Sequence, residues 1–500
     1  MVQVADSKTA EPPRYRVVAR TSSRAGLPSG SHDCAWMVRA AMVAFAGVVM
    51  LACSPTPDGA AGAADTSTAD TLAADTLAAD TLAADTFAAD TGATINITPN
   101  LSHDLIRLDL TLDLSTNKGV AHWKVMPAFT GGSVTFEVGG LSDITVLGSP
   151  SYQHSGKLLH VSLPATDFTP SLMISYTFKR YDAMIGLMNA GSSVTWPRHC
   201  SNLFPCHSAP SEGFSYTLKV KGLAKGDVAV FASAVTARVP SYAVALAIGA
   251  YSYHKVGETQ SGLELGVWLR PDQLGTDGKL DLPGIVDWPK AVSWLEATLG
   301  PYPYGKQLAA VTVPWGPMAY GGLEMHPIYH VSDLAIGDLA VHCHESAHGW
   351  FGNGVRIACW EDLVLSEGVA DYLMVRAMAA AKGEQVMQPM FAAMEKSVAA
   401  KAGTQKDVVV WQSTCDEIDV EASGVSAKIT YHKGALFLRA VAQQVGVAKL
   451  DAALGVFVKT HLGNAVRFSA LLDVIAAETG FDPKPLAKTW LQSKGDPLAP

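Results

Sequence analysis

The pentapeptide His344-Glu345-Ser346-Ala347-His348 places two imidazoles four residues apart, with a carboxylate beside the first. On a helix, side chains four residues apart lie on the same face, one turn above the other. Two imidazoles in this arrangement can bind a single Zn²⁺, and Glu345 can act on a metal-bound water. The spacing therefore predicts part of a zinc site and the base that would work beside it.

A third ligand of suitable chemistry follows nineteen residues after His348, where Glu367 stands in Leu365-Ser366-Glu367-Gly368. Two histidines and one glutamate leave the fourth tetrahedral position for water or substrate, as in catalytic zinc sites. We predict that His344, His348 and Glu367 bind one Zn²⁺ per chain. The competing interpretation of the pentapeptide alone is a buried helix with two hydrogen-bonded histidines.

The elements that would position these residues lie in the second half of the chain. Residues 338–351 and 361–381 are predicted helices, the first carrying both histidines and the second carrying Glu367. Apolar periodicity also predicts a strand at 308–313 and helices at 288–299, 386–400, 431–445, 450–459 and 469–479. Residues 256–500 are therefore predicted to form a mostly helical α+β domain.

The preceding residues, 95–255, have the pattern of β-strands. Apolar residues occupy alternate positions from Ile106 to Leu114, as on a strand with one buried face. Alternating segments at 134–138, 158–163 and 172–178 follow, joined by short turns. The predicted fold class is thus multidomain, with an N-terminal antiparallel all-β domain before the helical domain.

Several ordered motifs around the metal ligands resemble one known family. The zinc pentapeptide continues as Trp350-Phe351-Gly352-Asn353, and Glu367 is preceded by Trp360-Glu361-Asp362-Leu363. Tyr320-Gly321-Gly322-Leu323-Glu324-Met325 lies upstream, and Tyr431-His432-Lys433-Gly434-Ala435 lies downstream. From about residue 100 to 498, the chain resembles the gluzincin zinc aminopeptidases of the membrane alanyl aminopeptidase family, which includes leukotriene hydrolase as a related member.

The resemblance implies a thermolysin-like catalytic domain and a specific role for each of several motif residues. His344, His348 and Glu367 would bind zinc, in agreement with the spacing argument. Glu345 would be the general base and then the general acid, and Tyr431 would stabilise the tetrahedral intermediate. One departure is Ser366, which stands where the family usually has Asn.

The upstream motif implies how the substrate would be held. Glu324 would bind the free α-amino group, and Gly321 and Gly322 would belong to the same substrate-binding segment. The predicted function is a metallo-aminopeptidase that removes N-terminal residues from peptides through a metal-activated water. Two alternatives stay open: a zinc hydrolase of the same fold that acts on an epoxide or small amide, and an inactive binding homologue.

The N-terminal segment, 1–53, has the features of an export signal. Arg39 precedes an apolar run from Ala40 to Ala52, and Met50-Leu51-Ala52-Cys53 resembles a bacterial lipoprotein cleavage box. Residues 54–94 repeat Ala-Ala-Asp-Thr-Leu units and contain too little apolar surface to fold, so we predict an acidic tether. The chain is therefore expected at the bacterial cell envelope, attached to the membrane through a lipid on Cys53.

Composition and cysteines set further limits. The 500 residues carry a net charge of −9, and no Lys/Arg run stands out, so a nucleic-acid partner is not expected. Seven cysteines are present. The pairs Cys200/Cys206 and Cys343/Cys359 are candidate disulfides in an exported protein, with buried free thiols as the equal alternative. Oligomeric state does not follow from the sequence.

Overall fold

The computed structural model describes residues 103–127, 132–164, 169–316, 321–416 and 418–498. The predicted signal at 1–53, with Cys53, and the predicted tether at 54–94 lie outside these residues. Within them, the first part of the chain is rich in β-strands and the last part is mostly helical, as predicted.

The β-rich part is built around a six-stranded sheet in the order β13-β11-β1-β2-β7-β4. Its strands, with those of the smaller sheets beside it, are β1 (His103–Asp113), β2 (Lys118–Pro127), β3 (Gly132–Glu137), β4 (Ser142–Leu147), β5 (Tyr152–Ser155), β6 (Leu158–Leu163), β7 (Ser171–Thr177), β8 (Arg180–Tyr181), β9 (Gly186–Met188), β10 (Ser193–Val194), β11 (Phe214–Lys221), β12 (Val228–Val230), β13 (Ala234–Val239) and β14 (Ala247–Gly249). On β1, Leu108, Leu110 and Leu112 are fully or almost fully buried. They bury the apolar face that the alternation predicted.

The prediction of a purely antiparallel arrangement is wrong. β1 pairs with β11 in parallel, with Leu110 opposite Leu218, and β8 pairs with β9 in parallel. Side chains alternate across a strand with the same period in both kinds of ladder, so the apolar pattern cannot distinguish them. The long connection between β1 and β11 allows the parallel pairing.

The second part contains a five-stranded mixed sheet in the order β15-β16-β17-β19-β18. Its strands and a separate pair are β15 (Ser252–Glu258), β16 (Glu264–Leu269), β17 (Gln307–Val313), β18 (Gly322–Leu323), β19 (Ile328–Ser332), β20 (Arg356–Ile357) and β21 (Ala465–Val466). β15 crosses the predicted boundary between residues 255 and 256 and pairs with β16. The strand that begins at Ser252 therefore belongs to this second sheet.

The helices of the second part agree closely with the apolar periodicity. They are α1 (Trp288–Leu299), α2 (Leu339–Ala347), α3 (Leu363–Lys382), α4 (Met387–Lys401), α5 (Lys428–Val445), α6 (Val447–His461), α7 (Phe468–Thr479) and α8 (Lys484–Leu491). The short α8 was not predicted. α2 ends at Ala347, before the predicted end at 351, and the chain continues through turns to Gly352, which adopts a φ of +99°.

Two glycines bring α3 and α5 into close contact. A Cβ on Gly368 would lie 2.7 Å from Cα of Gly434, which is too close for any side chain at this crossing. Gly368 directly follows Glu367 on α3, and Gly434 lies one turn after Tyr431 on α5. The crossing therefore sets the two helices that carry these predicted site residues directly against each other.

One of the two candidate disulfides is present and the other is not. Cys200 and Cys206 form a disulfide, but Cys359 pairs with Cys415, and Cys343 is a buried free thiol. Cys343 lies inside α2, whereas Cys415 lies in the segment after α4 that folds back to within a Cα–Cα distance of 5.8 Å of Cys359. A pairing between residues so distant in sequence depends on the tertiary fold, which the cysteine spacing does not contain.

Large aromatic residues of the zinc motifs lie in the core, as expected for Trp350, Phe351 and Trp360. Among the described residues, no single helix is long and apolar enough to cross a membrane; only α5 and α6 together, bent by 119° at their junction, pass on length and composition.

Candidate active site

Three side chains converge at the junction of α2 and α3, and all three were predicted metal ligands. The Oε2 atom of Glu367 lies 3.3 Å from Nε2 of His344 and 3.4 Å from Nε2 of His348. The two Nε2 atoms are 3.1 Å apart. Ligand bonds of about 2.0–2.1 Å in a tetrahedron require donor atoms roughly 3.3 Å apart, so this triangle fits one Zn²⁺ per chain.

The carboxylate of Glu367 gives the site a negative charge that suits a cation. Burial raises the pKa of Glu367, but the imidazolium forms of His348 and His344 outweigh this effect and lower the pKa to about 2. The carboxylate is therefore ionised. Two ring nitrogens that face each other can share only one hydrogen between them, whereas a metal ion can accept a lone pair from both.

The Nδ1 atoms of both imidazoles, on the side of each ring away from the metal triangle, have polar partners that orient the rings. Nδ1 of His348 lies 3.0 Å from the carbonyl oxygen of Phe351 and 3.3 Å from Oγ of Ser366. Nδ1 of His344 lies 2.9 Å from Oδ1 of Asp371. Hydrogen on Nδ1 leaves each Nε2 lone pair free for a metal. Ser366, the departure from the family pattern, thus still reaches a metal ligand.

Glu345 projects from α2 into the same buried region and is only 4% exposed. Its Oε2 atom has no hydrogen-bond partner among the described residues. Burial raises the pKa of Glu345 to about 7, and the positive charges of His344 and His348 oppose this effect. A bound cation, in place of those imidazolium charges, would likewise lower that pKa and favour the carboxylate, which is the form a general base needs.

Glu324 lies close to Glu345 and to the metal ligand His348. One ligand atom from each of Glu324, Glu345 and His348 lies within 4.8 Å of the others. Burial raises the pKa of Glu324 to about 8; His348 opposes this rise, and the carboxylates of Glu367 and Glu345 add to it. A positively charged ligand beside Glu324 would stabilise its ionised form.

Asn353, which belongs to a motif but has no role predicted from it, and His326, which lies outside the motifs, hold the Glu324 segment in place. Nδ2 of Asn353 donates a hydrogen bond to the carbonyl oxygen of Glu324. Nε2 of His326 lies 2.7 Å from the carbonyl oxygen of Glu345, and Nδ1 lies 2.7 Å from the hydroxyl of Tyr302. The carbonyl requires a donor, so Nε2 carries the hydrogen and Nδ1 accepts from Tyr302. His326 therefore links the Glu324 segment to α2.

The remaining predicted site residues occupy different positions around the ligands. The Tyr431 ring stacks on the His344 ring, with centroids 5.8 Å apart and planes inclined by 13°. Gly322 lies in β18, and a Cβ at this position would come within 2.6 Å of Cδ of Glu345. Gly321 is exposed beside it. The structure thus brings together all of the predicted metal, catalytic and substrate-binding residues.

We expect Gly322→Ala to lower the kcat of the predicted aminopeptidase reaction by about 10²-fold, because the added methyl group must displace the Glu345 carboxylate by about 1 Å. The thermal midpoint should change little, since a flexible side-chain end can move away. Steady-state kinetics and thermal unfolding of the purified variant test this. Gly321→Ala is the comparison within the same segment: among the described residues its methyl group would meet only Val341 Cγ2, at 3.6 Å, and the loss should be far smaller. Equal effects at both positions would contradict the argument.

Known sequences resemble this chain over part of its length. Residues 336–490 match the model described as Peptidase family M1 domain. Aminopeptidase N from Streptomyces lividans is 29% identical over 279 residues, which are 52% of this chain and 32% of that protein. Leukotriene A-4 hydrolase from Xenopus laevis is 26% identical over 282 residues, 50% of this chain and 43% of that protein. This chain thus spans less than half the length of either relative.

Solved structures show the same fold. The M1 zinc metallopeptidase from Deinococcus radiodurans superposes with a TM-score of 0.66 at 21% identity, over 80% of this chain and 95% of that chain. Native LTA4 hydrolase from yeast gives a TM-score of 0.66 at 19% identity, over 80% of this chain and 69% of that chain. The resemblance inferred from the motifs is confirmed. Glu324 lies before the matched segment, whereas the three metal ligands and Tyr431 lie within it.

Proposed function

We propose that this chain, which carries a peptidase family M1 domain at residues 336–490, is a zinc-dependent aminopeptidase with a thermolysin-like catalytic domain. The observation that carries the proposal is the close approach of Glu324 to Glu345 and His348. A carboxylate next to a zinc site can recognise the substrate's ammonium group while the neighbouring residues cleave the first peptide bond.

His344, His348 and Glu367 would hold the zinc ion. When bound, zinc lowers the pKa of a water ligand and polarises the scissile carbonyl. Glu345 accepts a proton from the attacking water through its carboxylate and passes it to the leaving amine. The hydroxyl of Tyr431, on the ring stacked against His344, is the proposed donor to the oxyanion of the tetrahedral intermediate.

Glu324 determines which bond is cleaved. Glu324 is 5% exposed, and an ammonium group is the cation that a peptide's N-terminus would supply. An ion pair in this buried setting fixes the register of the substrate, so that only the first peptide bond reaches Glu345. A peptide longer by one residue at its N-terminus would have to leave Glu324 unpaired or bury additional atoms.

The strand that carries Gly322 suits a peptide substrate. β18 stands at the end of the sheet order, and among the described strands only β19 pairs with it. The free edge of such a strand offers backbone N–H and C=O groups to an extended chain. Glu345 lies against the face of this strand, since Gly322 would clash with that side chain if it had a Cβ.

Blocking the substrate's α-amino group separates this function from that of a non-peptide zinc hydrolase. We expect hydrolysis of an aminoacyl-anilide to be lost when the amine is acetylated, because the neutral amide leaves Glu324 buried without its cation. Glu324→Ala should raise KM and lower kcat for the free amine while zinc content stays at one per chain. Equal turnover of free and acetylated substrates would favour the alternative hydrolase.

We also propose export, with a lipid on Cys53 as the membrane attachment. The disulfides Cys200–Cys206 and Cys359–Cys415 support an oxidising compartment. Expression of the full chain in a bacterium with labelled palmitate should label the envelope fraction, and Cys53→Ala should remove the label. A labelled Cys53→Ala variant, or an unlabelled parent protein in the cytoplasm, would contradict this proposal.

A further inference from the structure

We propose that Asp371 is a positioning residue for the metal ligand His344. Its carboxylate contacts Nδ1 of His344 and thereby selects the tautomer that can bind zinc through Nε2. The same carboxylate contacts His432, which lies on α5. The inference rests on the proposed function only in taking zinc as the ion. It assigns a role to a residue that belongs to none of the motifs described above.

Asp371 lies four residues after Glu367 on α3, so both carboxylates project from the same face of the helix. They reach opposite nitrogens of a single ring. Glu367 Oε2 lies 3.3 Å from Nε2 of His344, and Asp371 Oδ1 lies 2.9 Å from Nδ1. One turn of α3 therefore supplies a metal ligand and also orients a second ligand that comes from α2.

The contact at Nδ1 determines how the ring can act. A carboxylate accepts a hydrogen bond and cannot donate one when ionised, so Nδ1 of His344 carries the hydrogen and Nε2 keeps its lone pair. The negative charge also makes the ring a stronger electron donor. His348 differs, because its Nδ1 faces the neutral carbonyl of Phe351. Among the described residues, His344 is the one of these two histidines whose Nδ1 contacts a carboxylate.

The surroundings of Asp371 point to this role rather than to an ordinary helix-stabilising ion pair. Asp371 is 6% exposed. Within the part of the chain that the structure describes, its ion-pair contacts are with histidines: His344, and His432, whose Nε2 lies 4.0 Å from Oδ2. No lysine or arginine of those residues forms an ion pair with it, so its charge is directed at the metal ligand and at α5.

Asp371 also connects the metal ligand with the helix that carries Tyr431. His432 follows Tyr431 on α5, and the Tyr431 ring stacks on the face of the His344 ring, whereas Asp371 contacts the ring edge at Nδ1. The Gly368–Gly434 crossing keeps α3 and α5 close enough for both contacts. His344 is thus held at Nδ1 by α3 and on its ring face by α5.

The experiment measures zinc affinity directly, with Zn²⁺ as the probe and a coloured chelator as competitor, on metal-free full chain. We expect Asp371→Ala to weaken zinc binding by about 10- to 100-fold, the effect usual for the outer partner of a ligating histidine. Asp371→Asn, which can still accept a hydrogen bond but has no charge, should lie between the parent and Asp371→Ala. Circular dichroism and thermal unfolding establish that each variant folds.

Asp451→Asn is the matched control. Asp451 forms an ion pair of 2.9 Å with Arg376 of α3, and its side chain is 12% exposed, but it contacts no metal ligand among the described residues. This variant should lose stability and keep the parent's zinc affinity. If folded Asp371→Asn and Asp371→Ala both bind zinc as tightly as the parent, or if Asp451→Asn weakens binding equally, the assignment is wrong.

The outcome is independent of the aminopeptidase proposal. A parent chain that binds one zinc but hydrolyses no aminoacyl-anilide would contradict the proposed function, while the dependence of zinc affinity on Asp371 would still be measurable. Conversely, an active enzyme whose zinc affinity is unchanged by substitutions of Asp371 would contradict only the positioning role of Asp371.

Discussion

Replacing Glu345 by glutamine is expected to leave one zinc per chain and to lower kcat for an aminoacyl-anilide by about 10²- to 10⁴-fold, the usual contribution of a general base. The amide has nearly the shape of the carboxylate, and Glu345 is not among the three side chains whose donor atoms form the metal triangle. The substitution therefore removes the proton acceptor and leaves the ligands in place.

The measurements are zinc content by atomic absorption and steady-state kinetics on the same preparation. Glu212→Gln provides a control with the same chemical change. Glu212 is also buried, at 7% exposure, but it pairs with His207 in the β-rich part. We expect it to reduce stability and to leave kcat unchanged. Turnover by Glu345→Gln at the parent's rate, with zinc bound, would exclude Glu345 as the base.

The features that the sequence predicts well are those encoded over short distances. His344 and His348 lie one helical turn apart, and the periodicity of α2 alone places them on one face. Glu367 lies on the next helix, and the family motifs locate it. The same reasoning places Asp371 on the face of α3 that carries Glu367, because a residue four positions after a helical ligand shares its face. The local pattern does not indicate that this face meets Nδ1 of His344, so the role of Asp371 could not be predicted from it.

Other contacts depend on chain segments that meet only after folding. The acceptor for His326 is a backbone carbonyl, which is available because α2 ends two residues after Glu345. The parallel pairing of β1 with β11 and the disulfide between Cys359 and Cys415 likewise join distant segments. Apolar periodicity and cysteine spacing describe single elements, so neither identifies a partner far along the chain.

Removing a metal ligand is expected to have the largest effect of all. His348→Ala should reduce zinc from one per chain to near zero and bring aminopeptidase activity to the background rate, since two remaining ligands do not make a stable zinc site. His348 is 1% exposed, and its Nε2 lies 3.4 Å from Glu367, which would lose one of its two imidazole neighbours. Zinc added to metal-free parent protein should raise its thermal midpoint, and this rise should be absent in the variant.

His342→Gln tests whether the effect is specific to the ligand. His342 is also a buried histidine of α2, but its Nε2 lies 2.8 Å from the carbonyl oxygen of Ile336 and its Nδ1 lies 2.7 Å from the hydroxyl of Tyr329. Both nitrogens are used for packing the helix, away from the three ligands. We expect this variant to unfold at a lower temperature and to keep one zinc per chain. If His348→Ala retained zinc and its stabilising effect, the ion would have to bind elsewhere. The proposed roles of Glu345, Glu324 and Asp371 would then be wrong, because each depends on a zinc ion at this site.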